Sequence, residues 1–283
     1  MVISIASGKG GTGKTTIACG LSSVVPNSVY IDCDVEEPNG FLLLKPEIAK
    51  EEAIYKLIPK INYDKCDFCN KCSEVCEFNA LLNLKTEIYL LDELCHSCGA
   101  CTYFCPKQAI TDVKKETGKL RIGKTNNDVL FFDATMRVGE ASATPLIKQV
   151  KSYYKGDRHV IIDSPPGTSC SMFESVKDSD FCILVTESTP FGMNDLKLAI
   201  RVLRQINLPF GIVINKYDEH YAQLDEYIHD NKLQLLLRIP FSMEIAESYS
   251  KGELPSETNK EYRQMMIDLF EKVKAEILET EYV

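Results

Sequence analysis

Eight of the twelve cysteines fall into two identical arrays, C-x2-C-x2-C-x3-C: Cys66, Cys69, Cys72 and Cys76, then Cys95, Cys98, Cys101 and Cys105. Thiolates so closely spaced bind soft metals. Zinc sites use separated cysteine pairs, whereas compact runs of four suit iron–sulfur clusters, so two [4Fe–4S] clusters are expected. A second chemistry stands upstream. Gly8-Lys9-Gly10-Gly11-Thr12-Gly13-Lys14-Thr15, continued by Thr16, satisfies G-x-x-x-x-G-K-[ST]. Its glycines let backbone N–H groups close around phosphate oxygens, Lys14 sets a charge at the β- and γ-phosphates, and the Thr15 hydroxyl can ligate Mg2+.

These residues need elements to hold them. Short β-branched runs at 2–6, 29–32, 129–133, 160–163, 181–186 and 212–215 alternate with helix-length segments, which predicts an α/β fold with a mainly parallel sheet and helices on both faces. Most runs end in a polar residue, as expected where strand carboxyl ends line a ligand crevice. The phosphate loop follows the first run and opens a helix-like segment. Asp32 and Asp34 end the second run, and Asp163 ends the fourth. The alternation breaks where the cysteines sit. The expected organisation is therefore a nucleotide domain split into 1–58 and 113–283, with a small α+β insertion at 59–112. Within it, segments 66–80 and 95–109 align as an internal repeat, which points to a compact two-fold module.

The cysteine run resembles that of bacterial ferredoxins, in which the fourth cysteine ligates the other cluster. That resemblance implies Cys66, Cys69, Cys72 and Cys105 around one cluster, and Cys95, Cys98, Cys101 and Cys76 around the second. The second run ends Cys105-Pro106 as in ferredoxins; the first ends Cys76-Glu77.

The loop K-G-G-T-G-K-T-T resembles the deviant Walker A motif of the MinD/ParA/nitrogenase iron-protein superfamily. The resemblance implies a P-loop ATPase in which Lys9 reaches the nucleotide of a partner subunit, hence an ATP-sandwich homodimer. It also implies that Asp34, the second aspartate of D-x-D in "YIDCDVEEPNG", orients the attacking water, and that Asp163 in "VIIDSPPGTSC" acts on the Mg2+ side, through water. Asn215 opens N-K-x-D, which reads guanine in GTPases; similar family members use an Asn here to contact adenine, and the frame favours ATP. Cys170 lies seven residues after Asp163, the offset at which the nitrogenase iron protein places a cluster ligand. It stays open between that role and a packed or redox-active thiol. As a whole, the chain resembles MinD-superfamily ATPases with an inserted ferredoxin domain.

A net charge of −9 runs against general binding to nucleic acid or anionic lipid, which need clustered Lys and Arg. No stretch reaches the roughly 18 apolar residues that span a membrane, and the start "MVISIASGKGG" lacks a basic leader, so a cytoplasmic protein is expected. The final helix sets Tyr262, Met266, Leu269, Val273 and Ile277 on one face and is otherwise acidic, which predicts docking on the core. Three functions share these residues: ATP-gated electron delivery to a partner, ATP-dependent maturation of a metalloenzyme client, and a partition-type positioning ATPase. The acidic charge counts against the third.

Overall fold

The structure, a computed structural model, describes residues 1–281, with side chains to residue 279. In chain order the elements are β1 Val2–Ala6, α1 Lys14–Val24, β2 Ser28–Asp32, α2 Gly40–Leu44 and β3 Glu47–Ile61. The cysteine segment follows with α3 Lys71–Glu74, β4 Leu81–Asn83, β5 Ile88–Leu90, a 3-10 turn Asp92–Leu94 and α4 Ala100–Tyr103. Then come β6 Ile110–Lys124, β7 Leu130–Met136, α5 Thr144–Ser152, β8 His159–Asp163, α6 Cys170–Val176, β9 Phe181–Glu187 and α7 Pro190–Gln205. The chain closes with β10 Phe210–Tyr217, α8 Ala222–Asp230, β11 Leu235–Pro240, α9 Met243–Ser250, α10 Pro255–Thr258 and α11 Lys260–Glu281.

Among the described residues the main sheet has nine strands in the order β11-β10-β9-β1-β8-β2-β7-β6-β3. The stretch from β11 to β7 is parallel; β6 and β3 then add antiparallel to one edge. Strands buried on both faces must be apolar throughout, and β2, β8 and β9 are buried along nearly all their length. The six runs read from sequence are all strands. The antiparallel pair is a departure from the expected pattern. Its strands, EIAKEEAIYKLIPKI and ITDVKKETGKLRIGK, mix lysine and glutamate with apolar residues because much of each is exposed.

The α11 face packs as expected. Tyr262, Met266, Leu269, Val273 and Ile277 are all buried in one cluster with Ile17 and Leu21 of α1, each contributing about 1.5–3 kcal/mol of transfer free energy.

Strands β3 and β6 pair continuously to Ile61↔Ile110, so the expected boundaries at 58 and 113 fall inside strands, and the compact cysteine segment is 62–109. Only Gly118–Lys124 of β6 also pairs with β7. Beyond Gly118, β3 and β6 leave the sheet as a two-stranded ribbon. The register shifts there, with Ile54 opposite Gly118 but Tyr55 opposite Glu116, leaving Thr117 as the bulged residue. A bulge bends and twists a strand pair. A Cβ on Gly118 would meet the Thr135 carbonyl oxygen at 2.5 Å, so only glycine lets the ribbon leave at this point.

The cysteine segment is a true duplication. Left-handed backbone occurs at Phe68, Asn70 and Asn79 and again at the equivalent Ser97, Gly99 and Gln108. The Asn62 and Leu91 amides donate to the carbonyls of Ala109 and Ala80, at 2.7 and 2.8 Å, each repeat thus closing on the other. The Ala80 and Ala109 amides approach Cys76 and Cys105 Sγ, both at 3.3 Å.

Candidate functional site

The carboxyl ends of β1, β8 and β2 lie side by side, with β10 beyond β9 on the other flank of β1, the crevice position for a ligand in an open α/β sheet. The β1–α1 loop curls over it. Gly11 and Gly13 have φ of 78° and 88°, the left-handed region, and Gly13 caps α1. A Cβ at Gly13 would strike Asn215 Nδ2 at 2.3 Å, and one at Gly8 the Asp195 carbonyl at 2.3 Å. Asn215 Nδ2 donates to the Thr12 carbonyl, 2.8 Å, so the strand that carries it also braces the loop.

A cavity of about 420 Å3 opens there, lined by Gly10, Gly11, Gly13, Lys14, Thr15, Thr16, Asp34 and Asn215. Gly8 lies behind the loop, Thr12 is buried, and Lys9 points elsewhere, to Glu187 Oε2 at 2.8 Å. The other Glu187 oxygen takes Lys216, which also donates to the Gly11 carbonyl at 3.2 Å. Burial pushes the Glu187 carboxyl up, but Lys216 and Lys9 more than offset it and hold it below the usual range.

Three aspartates stand at the crevice. Asp32 is fully buried and accepts from the amides of Asp34 and Gly40, at 3.0 and 3.1 Å, so it shapes the loop after β2. Asp163 is 1% exposed; its Oδ2 accepts from the Tyr30 hydroxyl at 3.1 Å, while its Oδ1 has no hydrogen-bond partner. Burial raises its pKa, and Lys14, Thr15 and Tyr30 pull the other way. An orphaned buried carboxylate oxygen among these groups fits a hard cation, directly or through water. Burial also lifts Asp34, to about 6, with Lys14 lowering and Asp163 raising it.

The four thiols of each set implied by the ferredoxin resemblance border one cavity. Cys66, Cys69, Cys72 and Cys105 line a space of about 20 Å3 beyond Ile61 and Ile110. Cys76, Cys95, Cys98 and Cys101 line another of about 150 Å3, against Leu57 and Pro59 of β3. The last cysteine of each run thus crosses to the other group. Among the described residues no three Cys, His, Asp or Glu side chains close on a site for a single metal ion. A zinc ion would draw four sulfurs to within about 4 Å of one another. The thiols of each set border an open space, with Cys69 and Cys98 exposed, and the amides facing Cys76 and Cys105 are hydrogen-bond donors of the kind that metal-bound thiolates use. Cys170 is exposed at the start of α6, whereas Cys19, Cys33 and Cys182 are buried.

Sequence reasoning missed the outer wall of the nucleotide cavity, Phe241, Ser242, Ile245, Ala246, Tyr249 and Tyr262. The first five follow β11, and the strand-end rule applied to "LLLRIPFS" could have located them. It also missed Glu187, which ends β9.

Residues 3–255 match a family described as CbiA, the CobQ/CobB/MinD/ParA nucleotide binding domain. The chain is 32% identical to Uncharacterized protein MJ0579 of Methanocaldococcus jannaschii, over 89% of this chain and 90% of that one. It is equally identical, 32%, to Uncharacterized protein MJ0578 of the same organism, over 97% and 96%. Among solved structures, the septum site-determining protein MinD complexed with Mg-ADP from Pyrococcus horikoshii superposes with a TM-score of 0.59 at 20% identity, covering 96% of this chain and 95% of that one.

Proposed function

The chain belongs to the CobQ/CobB/MinD/ParA nucleotide-binding family, and from that premise we propose that it is an ATPase with Mg2+ whose homodimeric switch gates electron delivery from two [4Fe–4S] clusters to a partner protein. The observation that carries the reading is the crosswise grouping of the eight thiols into two cavities in a chain that also holds a P-loop crevice.

In this reading the loop amides and Lys14 bind the phosphates, Thr15 and Asp163 hold Mg2+, and Asn215 with the wall after β11 receives the base. Asp34 lines the same cavity and has a pKa of about 6, so it is mostly ionised at neutral pH and able to orient a water. Lys9 lies outside its own cavity, where a second copy can meet it once Glu187 lets go. The clusters, when bound, supply one-electron chemistry, and Cys66, Cys69, Cys72 and Cys105, with Cys76, Cys95, Cys98 and Cys101, are the residues that hold them.

Maturation of a metalloenzyme client would use the same residues and differs only in what the partner receives. A positioning ATPase is favoured by the MinD likeness, but a likeness at 20% identity carries the fold, and that reading leaves both thiol-lined cavities without a role.

The test is analytical and mutational. Protein prepared without oxygen should contain about eight iron and eight acid-labile sulfides per chain. Lys14→Ala should abolish ATP binding, while Lys9→Ala should bind ATP yet lose ATP-dependent dimerisation. Stoichiometric zinc without sulfide would end the redox reading, and a Lys9 variant that dimerises normally would end the sandwich.

A further inference from the structure

The ribbon formed by β3 and β6 sets Lys56 directly opposite Lys115. Like charges facing each other across a strand pair repel. What sits between them is Glu140, from the loop joining β7 to α5. Its Oε2 pairs with Lys56 and its Oε1 lies 3.3 Å from Lys115. The Lys56 and Glu140 side chains are each only 4% exposed. Lys115 also reaches Asp92, at 2.8 Å, in the 3-10 turn just before Cys95. The Ala141 amide donates to the Glu93 carbonyl at 3.4 Å, so backbone joins loop and turn as well. Next to Lys56, the Leu57 carbonyl accepts from Ser97 Oγ at 2.6 Å.

The other end of this loop stands beside the segment that carries Asp34. Met136, just before it, donates its amide to the carbonyl of Val35, the neighbour of Asp34, at 2.7 Å. Arg137 donates to the carbonyl of Thr117, the bulged residue where the ribbon leaves the sheet, at 2.8 Å. Arg137, Val138 and Gly139 form one wall of a groove whose other walls are the loops after Asp34 and after Asp163. The loop therefore bonds to the segment that carries Asp34, faces the segment after Asp163 across a groove, bonds to the bulge where the ribbon leaves the sheet, and inserts a buried carboxylate beyond it.

We propose that Glu140 is a positioning residue that couples the nucleotide loops to the cavity lined by Cys76, Cys95, Cys98 and Cys101, making that cavity the nucleotide-responsive one. The cavity around Cys66, Cys69, Cys72 and Cys105 lies beyond the ribbon's end at Ile61 and Ile110 and, among the described residues, has no comparable tie to the loop. The inference rests on the ATPase reading. Withdrawing the Glu140 carboxylate leaves the buried Lys56 without its partner, while Lys115 keeps Asp92, so a small shift of the loop carries a local penalty at Lys56 and the ribbon follows it.

Hydrogen–deuterium exchange on full-length protein prepared without oxygen tests it, with peptides covering 92–98 and 66–72 followed with and without Mg-AMPPNP. Nucleotide should change exchange at 92–98 by about fivefold or more and leave 66–72 unchanged. Glu140→Gln should lose that response. Because this variant strands the buried Lys56 and risks misfolding, the double variant Lys56→Met with Glu140→Leu decides: it should bind nucleotide, keep the wild-type exchange at 92–98 without nucleotide, and show no change on adding it. A response surviving in the double variant, or an equal response at 66–72, overturns the proposal. So does exchange at 92–98 that is already fast without nucleotide, which would make the pair a structural strut. Nucleotide binding with no response anywhere overturns this inference alone; no nucleotide binding overturns the ATPase reading with it.

Discussion

Asp34 holds its proton to about pH 6 because burial outweighs the pull of Lys14, with Asp163 adding to the rise. The folded-state pKa lies above the ordinary 3.8, so the stabilisation belongs to the protonated form. It is complete below about pH 4 and is lost as pH rises through about 6. Asp34→Asn keeps the shape without the charge. Its stability should equal that of the wild type near pH 4 and exceed it by roughly 1–2 kcal/mol at about pH 7.5, after discounting for the exposed part of the carboxyl. Denaturant melts at the two pH values check this. The same variant should bind ATP and hydrolyse it slowly, and wild-type hydrolysis should fall below about pH 6. A wild-type rate flat from about pH 5 to 8 would remove Asp34 from the water-orienting role.

Among the elements, the parallel strands and the phosphate loop were legible because their signals are local: an apolar run, then G-x-x-x-x-G-K-T. The ribbon was not. Its pairing joins Glu47 to Lys124 across the whole cysteine segment, and its alternating lysines and glutamates spell an exposed surface without saying which strand covers it. The eight cysteines were legible as two arrays, but the buried Lys56–Glu140–Lys115 contact was not, since Glu140 looks like an ordinary loop charge until the fold brings it under the ribbon. Gly118 is a further case, a glycine in mid-strand whose reason appears only with Thr135 and the Leu146 methyl 2.7 Å from its missing Cβ. Gly118→Ala should push the ribbon off its base, costing about 1–3 kcal/mol. A lowered Tm with faster proteolysis between 50 and 120 is the expected result; unchanged melting would mean that the sheet edge yields freely.

At the level of the whole molecule, the proposed pairing of an ATPase with two clusters implies that each senses the other. A coupling of about 1–3 kcal/mol between Mg-ATP and cluster reduction would be typical, and about 1.4 kcal/mol corresponds to roughly 59 mV for one electron. The midpoint potential of one cluster should therefore shift on ATP binding, ATP affinity should change by the same factor on reduction, and Lys14→Ala should stay at the nucleotide-free value. Equal potentials in both states would mean that gating comes from partner docking instead. The antiparallel edge has its own consequence for how copies of the chain meet. Among the described residues β3 is the outermost strand of the main sheet and runs for 15 residues, an edge able to template another strand although the carbonyls of Tyr55 and Leu57 are taken by Gln149 and Ser97. Along it stand Lys50, Glu51 and Lys60, all exposed, and Pro59, which has no N–H to offer. Charges repel an incoming strand and proline interrupts its ladder, so the edge that carries the cysteine segment is guarded against fibrous aggregation.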